Sequence, residues 1–224
     1  GLSTVIGALS ICFFKKQNIK VLTFVLALAA SIMICLSIIE LIPEGIKRLN
    51  HSFNWLLTII IALLTILIGI FITTYVEKKV VTSNNQLYKV GIISMLVLML
   101  HNFPEGIVTF MAGFTNLKLG ITIALAIALH NIPEGISIAF PIYYATNSKL
   151  KSIMYAFISG LSEPLGALLT YLLLMPYINA TNLSIMFLLV AGIMMTIALK
   201  SLLPEALSHR HYKLVFVAIV IGTI

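Results

Sequence analysis

The sequence predicts an all-α membrane protein with eight transmembrane helices. Three observations carry that expectation. Of the 224 residues, 60% are apolar and only 9% are charged, against roughly 45–50% and about 25% in an ordinary soluble domain. The mean hydropathy is +1.11, so there is too little polar surface to cover a water-soluble globule. The apolar residues also fall in runs of the length a helix needs to cross a bilayer, about 20 residues, with Lys and Arg in most of the breaks. Such a composition excludes disorder, a secreted disulfide scaffold and a nucleic-acid-binding domain. The net charge of +7 is no nucleic-acid patch, because its basic residues stand singly or in pairs between apolar runs.

Residues 1–14 read as a helix already under way, since the chain opens on Gly1 inside an apolar stretch, as expected of a fragment. Complete spans come next at 21–43, 53–75, 89–114, 119–144, 150–175 and 183–204, and 212–224 begins an eighth that stops short. All breaks are short, so residues 1–224 read as one polytopic transmembrane domain without a soluble module. Cys12 and Cys35 both lie in apolar stretches and are expected to be membrane-buried packing residues rather than a disulfide.

Loop charge predicts orientation. The first, third, fifth and seventh breaks carry ten basic residues, including Lys15, Lys16 and Lys20, and the second, fourth and sixth carry three. Positively charged loops stay in the cytoplasm, which puts both termini outside. The remaining basic residue, Lys200, lies about four residues from the predicted end of its span, where it is expected to snorkel to the surface.

A short pattern recurs. It reads Glu40-Leu-Ile-Pro43-Glu44-Gly45, His101-Asn102-Phe-Pro104-Glu105-Gly106, His130-Asn131-Ile-Pro133-Glu134-Gly135 and Ser201-Leu-Leu-Pro204-Glu205-Ala206. The outer two copies close the second and seventh spans, a correspondence of the kind transporters show.

The chemistry lies in the middle copies. The chain has no Asp and seven Glu, of which Glu105, Glu134 and Glu163 fall near the centres of three spans. A charge at the bilayer midplane costs about 2.5–3.5 kcal/mol on insertion scales. No Lys or Arg is expected at the same depth, so cations or protons must offset the three carboxylates. His101 and Glu105 are four apart and share a helix face with Asn102; His130, Asn131 and Glu134 repeat the arrangement. A four-residue loop makes the two helices antiparallel neighbours. Imidazole with carboxylate suits zinc, iron(II) and similar ions. His101, Glu105, His130 and Glu134 would form a nitrogen-rich site, and Asn102, Glu105, Asn131, Glu134 and Glu163 an all-oxygen one. Pro104, Pro133 and Pro164 free the carbonyls of Leu100, Leu129 and Gly160 beside these groups.

Blander readings compete with this one. One buried His–Glu pair at i,i+4 is often only mutually satisfied; two such hexads at matched depth, plus Glu163, favour metal. Glu40, Glu44 and Glu205 fall at predicted helix ends, where hydration accounts for them as well as ion attraction does. His51, His209 and His211 read as solvated loop residues.

The hexads His101–Gly106 and His130–Gly135, with Ser162-Glu163 following and Gly1-Leu2-Ser3-Thr4-Val5-Ile6-Gly7-Ala8 at the start, resemble the ZIP (Zrt/Irt-like) metal transporters over nearly the whole chain. The resemblance implies a 3+2+3 arrangement in which helices 1–3 and 6–8 are inverted repeats around helices 4 and 5, with both ends extracellular. It implies a binuclear site at His101, Asn102, Glu105, His130, Asn131, Glu134 and Glu163. It further implies import of Zn2+ and Fe2+, with Mn2+, Co2+ and Cd2+ as further candidates, through a bacterial cell membrane. Two departures stand out. Val76–Lys89 contains no His where many relatives have a His-rich loop, and Lys200 and Ser201 stand where many carry an acidic residue.

The expected function is therefore divalent-metal import, with metal ions as cargo rather than cofactor. The expected partners are metal ions and the lipid bilayer, with no nucleic acid and with a homodimer as the candidate assembly. An intramembrane zinc hydrolase is the main rival, but the signature H-E-x-x-H is absent, and so is the ATP-binding G-x-x-x-x-G-K-[ST]. A sensor that binds metal without moving it is the third reading.

Overall fold

Eight helical rods succeed one another in the computed structural model, which describes residues 1–14, 18–79, 84–177 and 179–223. Six are long and apolar enough to cross a membrane: α2 (Ile19–Asn50), α3 (Trp55–Lys79), α4 (Gln86–Thr115), α5 (Leu117–Thr146), α6 (Lys149–Tyr177) and α7 (Ala180–Ser208). Two are shorter, α1 (Leu2–Phe13) and α8 (Tyr212–Thr223). Among the described residues there is no strand. Lys15 and Lys16, which weigh in the loop-charge argument, lie outside the described residues.

Polar side chains set where several rods begin. Asn18, Asn54, Asn85, Ser148 and Asn179 each accept a hydrogen bond from a backbone N–H two or three residues on, at 2.9–3.3 Å. Such caps satisfy donors that have no partner inside the helix.

The main core draws on every rod but α3, most heavily on four of them. Leu26, Ala30 and Met33 of α2 meet Ile93 and Val97 of α4, Ile138 and Phe140 of α5, and Ile193 and Ile197 of α7. Helix α3 stands to one side and buries a narrow strip, Thr58, Ala62, Thr65, Gly69 and Thr73, with its long side facing α7. Its other faces expose Leu56, Leu63, Leu67 and Phe71. An apolar surface this extensive needs apolar surroundings.

Close backbone approach fixes how the inner rods cross. A Cβ at Gly106 of α4 would strike the carbonyl of Glu163 in α6, and one at Gly135 of α5 would strike the carbonyl of Thr4 in α1. Reciprocally, Gly166 of α6 packs on Phe103, and Gly7 of α1 packs on Ile132. The two crossings use matching positions of the two hexads. The outer rods do the same: Gly69 of α3 meets the Leu189 carbonyl of α7, and Gly222 of α8 approaches the Leu28 carbonyl of α2. Small residues let helices approach in this way where no water drives them together.

The structure corrects several expectations. Helix α2 continues to Asn50 rather than ending at 43, and α7 continues to Ser208 rather than 204. In each, a π-helical turn precedes the proline, Ser37–Leu41 before Pro43 and Ala198–Leu202 before Pro204. Each proline then sits at the start of an α-helical stretch, where its missing N–H costs little. Only Asn116 separates α4 from α5, not four residues. Pro104 and Pro133 lie within unbroken helices, whereas α6 breaks at Leu161, ahead of Pro164. Lys200 does not sit near its helix end; its Nζ donates to Thr74 Oγ1 of α3 at 3.1 Å. Both cysteines are free, but Cys12 is exposed on the protein surface rather than packed.

Candidate metal centre

The two hexads meet. Within α4, His101 Nε2 lies 2.8 Å from Glu105 Oε1, the contact that i,i+4 spacing predicts. Across to α5, His101 Nε2 is 3.1 Å from Glu134 Oε1, and His130 Nε2 is 2.7 Å from Glu105 Oε1. The two imidazole rings stand 6.4 Å apart. Ligand atoms of His101, Glu105 and His130 all fall within 4.8 Å of one another, a spread that one metal ion can span.

The amides and the third carboxylate form a second layer. Asn131 Nδ2 donates to Glu163 Oε2 at 2.9 Å. With its amide nitrogen turned toward the site, Asn102 donates to Glu134 Oε2 at 3.1 Å and to the Leu98 carbonyl at 3.2 Å. Glu163 sits in the first turn after the break in α6 and also contacts the Gly1 amino group. The break is steadied by Ser162, whose hydroxyl donates to the Ser159 carbonyl at 2.6 Å. His101, Asn102, Glu105, His130 and Glu134 are thus in contact across α4 and α5, and Asn131 of α5 meets Glu163 of α6.

The electrostatics are those of a centre rich in lone pairs. His101, Asn102, Glu105, Asn131 and Glu134 are buried. Among the described residues, no Lys or Arg side chain pairs with Glu105, Glu134 or Glu163. His101 Nδ1, Glu105 Oε2 and Asn131 Oδ1 are buried without a hydrogen-bond partner, and His101 Nε2 has only carboxylate oxygens beside it. Buried polar atoms are nearly always paired. Carboxylate and amide oxygens left unpaired at the site suit cation binding, because a cation would satisfy them.

Two cavities adjoin these residues. One of about 520 Å3 has Glu163 in its wall, with Gly106 and Pro164. A cavity of about 220 Å3 has His101, Glu105 and His130 in its wall and reaches Glu40, Glu44 and Arg48 on α2. Phe187 and Met194 of α7 complete it. Glu44 is not a free, hydrated carboxylate: Arg48 Nε donates to its Oε1 at 2.7 Å. Charge spacing alone makes that pair legible, four residues apart on a helix. Nothing in the sequence marks Phe187 or Met194, which arrive only through the packing of α7 on α2.

At the far end, Glu205 is also not hydrated but buried, and His209 is not a solvated loop residue. Its Nε2 lies 3.7 Å from Glu205 Oε1 and its Nδ1 3.1 Å from Thr23 Oγ1. Burial, with His211 nearby, holds the His209 imidazole below the usual histidine range. His51 is exposed, as expected.

Comparison with known proteins agrees with this geometry. The family model described as ZIP zinc transporter matches residues 79–224. The protein named zinc transporter ZupT of Oceanobacillus iheyensis is 42% identical over 226 aligned positions, covering 92% of this chain and 84% of the relative. Those of Chlorobium limicola and Akkermansia muciniphila are 37% and 36% identical, each covering 99% of this chain and 90% of the relative. These relatives are named as transporters, not enzymes. With six apolar rods long enough to cross a bilayer, the chain is a multi-pass membrane protein, and it belongs to the ZIP family of metal transporters.

Proposed function

We propose that this protein imports zinc, and with it iron(II), manganese and related divalent ions, from outside the cell into the cytoplasm. The cargo is held in a binuclear site shared by α4, α5 and α6. The observation that carries the reading is Glu105 Oε1, which lies within 2.8 Å of an imidazole nitrogen from each of two helices. A carboxylate so placed can share a cation with imidazoles from two helices. His101, Glu105, His130 and Glu134 supply the nitrogen-rich half, and Asn102, Asn131 and Glu163, with the two shared carboxylates, the oxygen half.

The whole chain acts as one transporter unit of 3+2+3 helices, with α1–α3 and α6–α8 as inverted repeats and both termini outside. Support comes from the reciprocal glycine crossings, in which Thr4 and Gly7 on α5 stand as Glu163 and Gly166 stand on α4. The paired π turns before Pro43 and Pro204 support it too. Inverted repeats give two related conformations, open to opposite sides, around a fixed midplane site.

The test is zinc accumulation in proteoliposomes. Glu105→Ala and Glu134→Ala are expected to reduce it to the level of protein-free vesicles. Asn102→Ala and Glu163→Ala are expected to change the ratio of zinc to manganese carried. Equal loss for every metal in all four variants contradicts the division into two halves. Tight zinc binding without flux overturns transport in favour of a sensor, and turnover of a peptide overturns it in favour of a hydrolase.

A further inference from the structure

The cavity that leads to the candidate metal centre contains an unexpected charge. Its wall carries three carboxylates, Glu40, Glu44 and Glu105, which suit a path for cations. It also carries Arg48, whose guanidinium stays protonated at any pH a cell meets. A fixed positive charge there opposes the passage of the cargo, so its placement needs a reason.

Two contacts hold Arg48. Its Nε donates to Glu44 Oε1 at 2.7 Å, and its Cζ lies 5.7 Å from the centroid of the Phe187 ring on α7. Glu40 has no ion-pair partner among the described residues. One carboxylate of the mouth is therefore open to ions and the other is already occupied from within the chain. Both partners of the pair are partly exposed, so the pair is weak and exchangeable.

We propose that Arg48 is a resident counter-ion that makes this mouth selective for divalent over monovalent cations. A monovalent ion arriving at Glu44 would replace one single charge by another and gains nothing from the exchange. A divalent ion at the same distance doubles the Coulomb attraction and displaces the guanidinium. The displaced group keeps its seat on the Phe187 face, a favourable place for a cation. Arg48 thereby acts as a specificity-determining residue. This inference rests on the metal-transport reading of the same site.

The test is zinc uptake by proteoliposomes at constant ionic strength, with sodium exchanged for choline, an ion too bulky to pair closely with one carboxylate. For the unaltered protein, the zinc KM is expected to be the same in both salts. In Arg48→Gln the KM is expected to fall about threefold to fivefold in choline, the scale of a half-exposed ion pair, and to rise again in sodium. Arg48→Lys keeps the charge and is expected to stay close to the unaltered protein, and it reports on folding at this position. Glu44→Gln with Arg48→Gln removes the contested carboxylate, and its KM is expected to be insensitive to sodium. If Arg48→Gln responds to sodium no more than the unaltered protein does, the proposal is overturned while transport stands. If Arg48→Gln does not fold, Arg48→His serves in its place at pH 8, where an imidazole is mostly neutral, with the same two outcomes. If the unaltered protein moves no zinc, or Glu134→Ala moves as much, the transport reading fails and this inference falls with it.

Discussion

The ends of α2 and α7 are built from the same plan and finish in opposite states. Each has a π turn, then a proline, then a glutamate, then a basic side chain four residues on: Pro43, Glu44 and Arg48 in one, Pro204, Glu205 and His209 in the other. In α2 the pair is tight, at 2.7 Å, partly exposed, and part of a cavity wall that includes His101 and Glu105. In α7 the pair is loose, at 3.7 Å, and its glutamate is buried with only 8% exposure. The local backbone comes from the shared motif, and the difference comes from the neighbours. Arg48 lies over the Phe187 ring beside a cavity, whereas His209 contacts Thr23 of α2. A motif can dictate a helix's path without dictating whether its end is open.

The most severe way to break the comparison is to insert one residue after each π turn. An alanine inserted after Leu41 or after Leu202, wound as ordinary α-helix, rotates the remainder of the helix by about 100°. The insertion after Leu41 is expected to lower zinc uptake about tenfold or more, because Glu44 and Arg48 turn away from the cavity and Leu49 leaves its buried place. The insertion after Leu202 is expected to lower uptake as well. Each should also lower the melting temperature in detergent by several degrees, about 1–3 kcal/mol for turning a buried side chain out of its place. If both insertions leave uptake and stability unchanged, the facing of these two helix ends does not matter.

A milder way is to exchange the two nitrogenous side chains, Arg48 and His209. Arg48→His is expected to change stability by less than about 0.5 kcal/mol, as partly exposed positions do. His209→Arg must fit a longer side chain between Glu205 and Thr23 and is expected to cost about 1–3 kcal/mol. Thermal unfolding of the two variants side by side checks this, and equal shifts would show the two ends to be packed alike.

The smallest expected effect concerns protons. With its pKa lowered by burial and by His211, His209 is neutral in the folded protein at pH 7. A lowered pKa means that the folded state binds the proton less readily than the unfolded chain does. The contribution of this group to stability is therefore present above the unfolded value, near 6.5, and is lost as pH falls. His211→Asn is expected to move the His209 titration, tracked by NMR of labelled imidazoles, upward toward the ordinary histidine range. A midpoint already above that range in the unaltered protein would contradict the packing described.

Much of this architecture is legible in the sequence, and the misses share a cause. The spans can be read because each apolar run is long and bounded by polar breaks, and the meeting of α4 with α5 because His101, Asn102 and Glu105 recur as His130, Asn131 and Glu134. The continuation of α2 and α7 past Pro43 and Pro204 is not legible, since proline ordinarily stops a helix and a π turn has no sequence signature. Nor is the burial of Glu205, the tie between Lys200 and Thr74, or the approach of Phe187 to Arg48. Each depends on which rod packs against which, a long-range fact that local spacing does not contain.

The single residue between α4 and α5 has a mechanical consequence. With only Asn116 joining them, neither helix can slide along the other by even one turn, about 5.4 Å, unless it unwinds. The hairpin has no slack. Whatever rearrangement opens the opposite end of the protein must keep both hexads together as one rigid cassette.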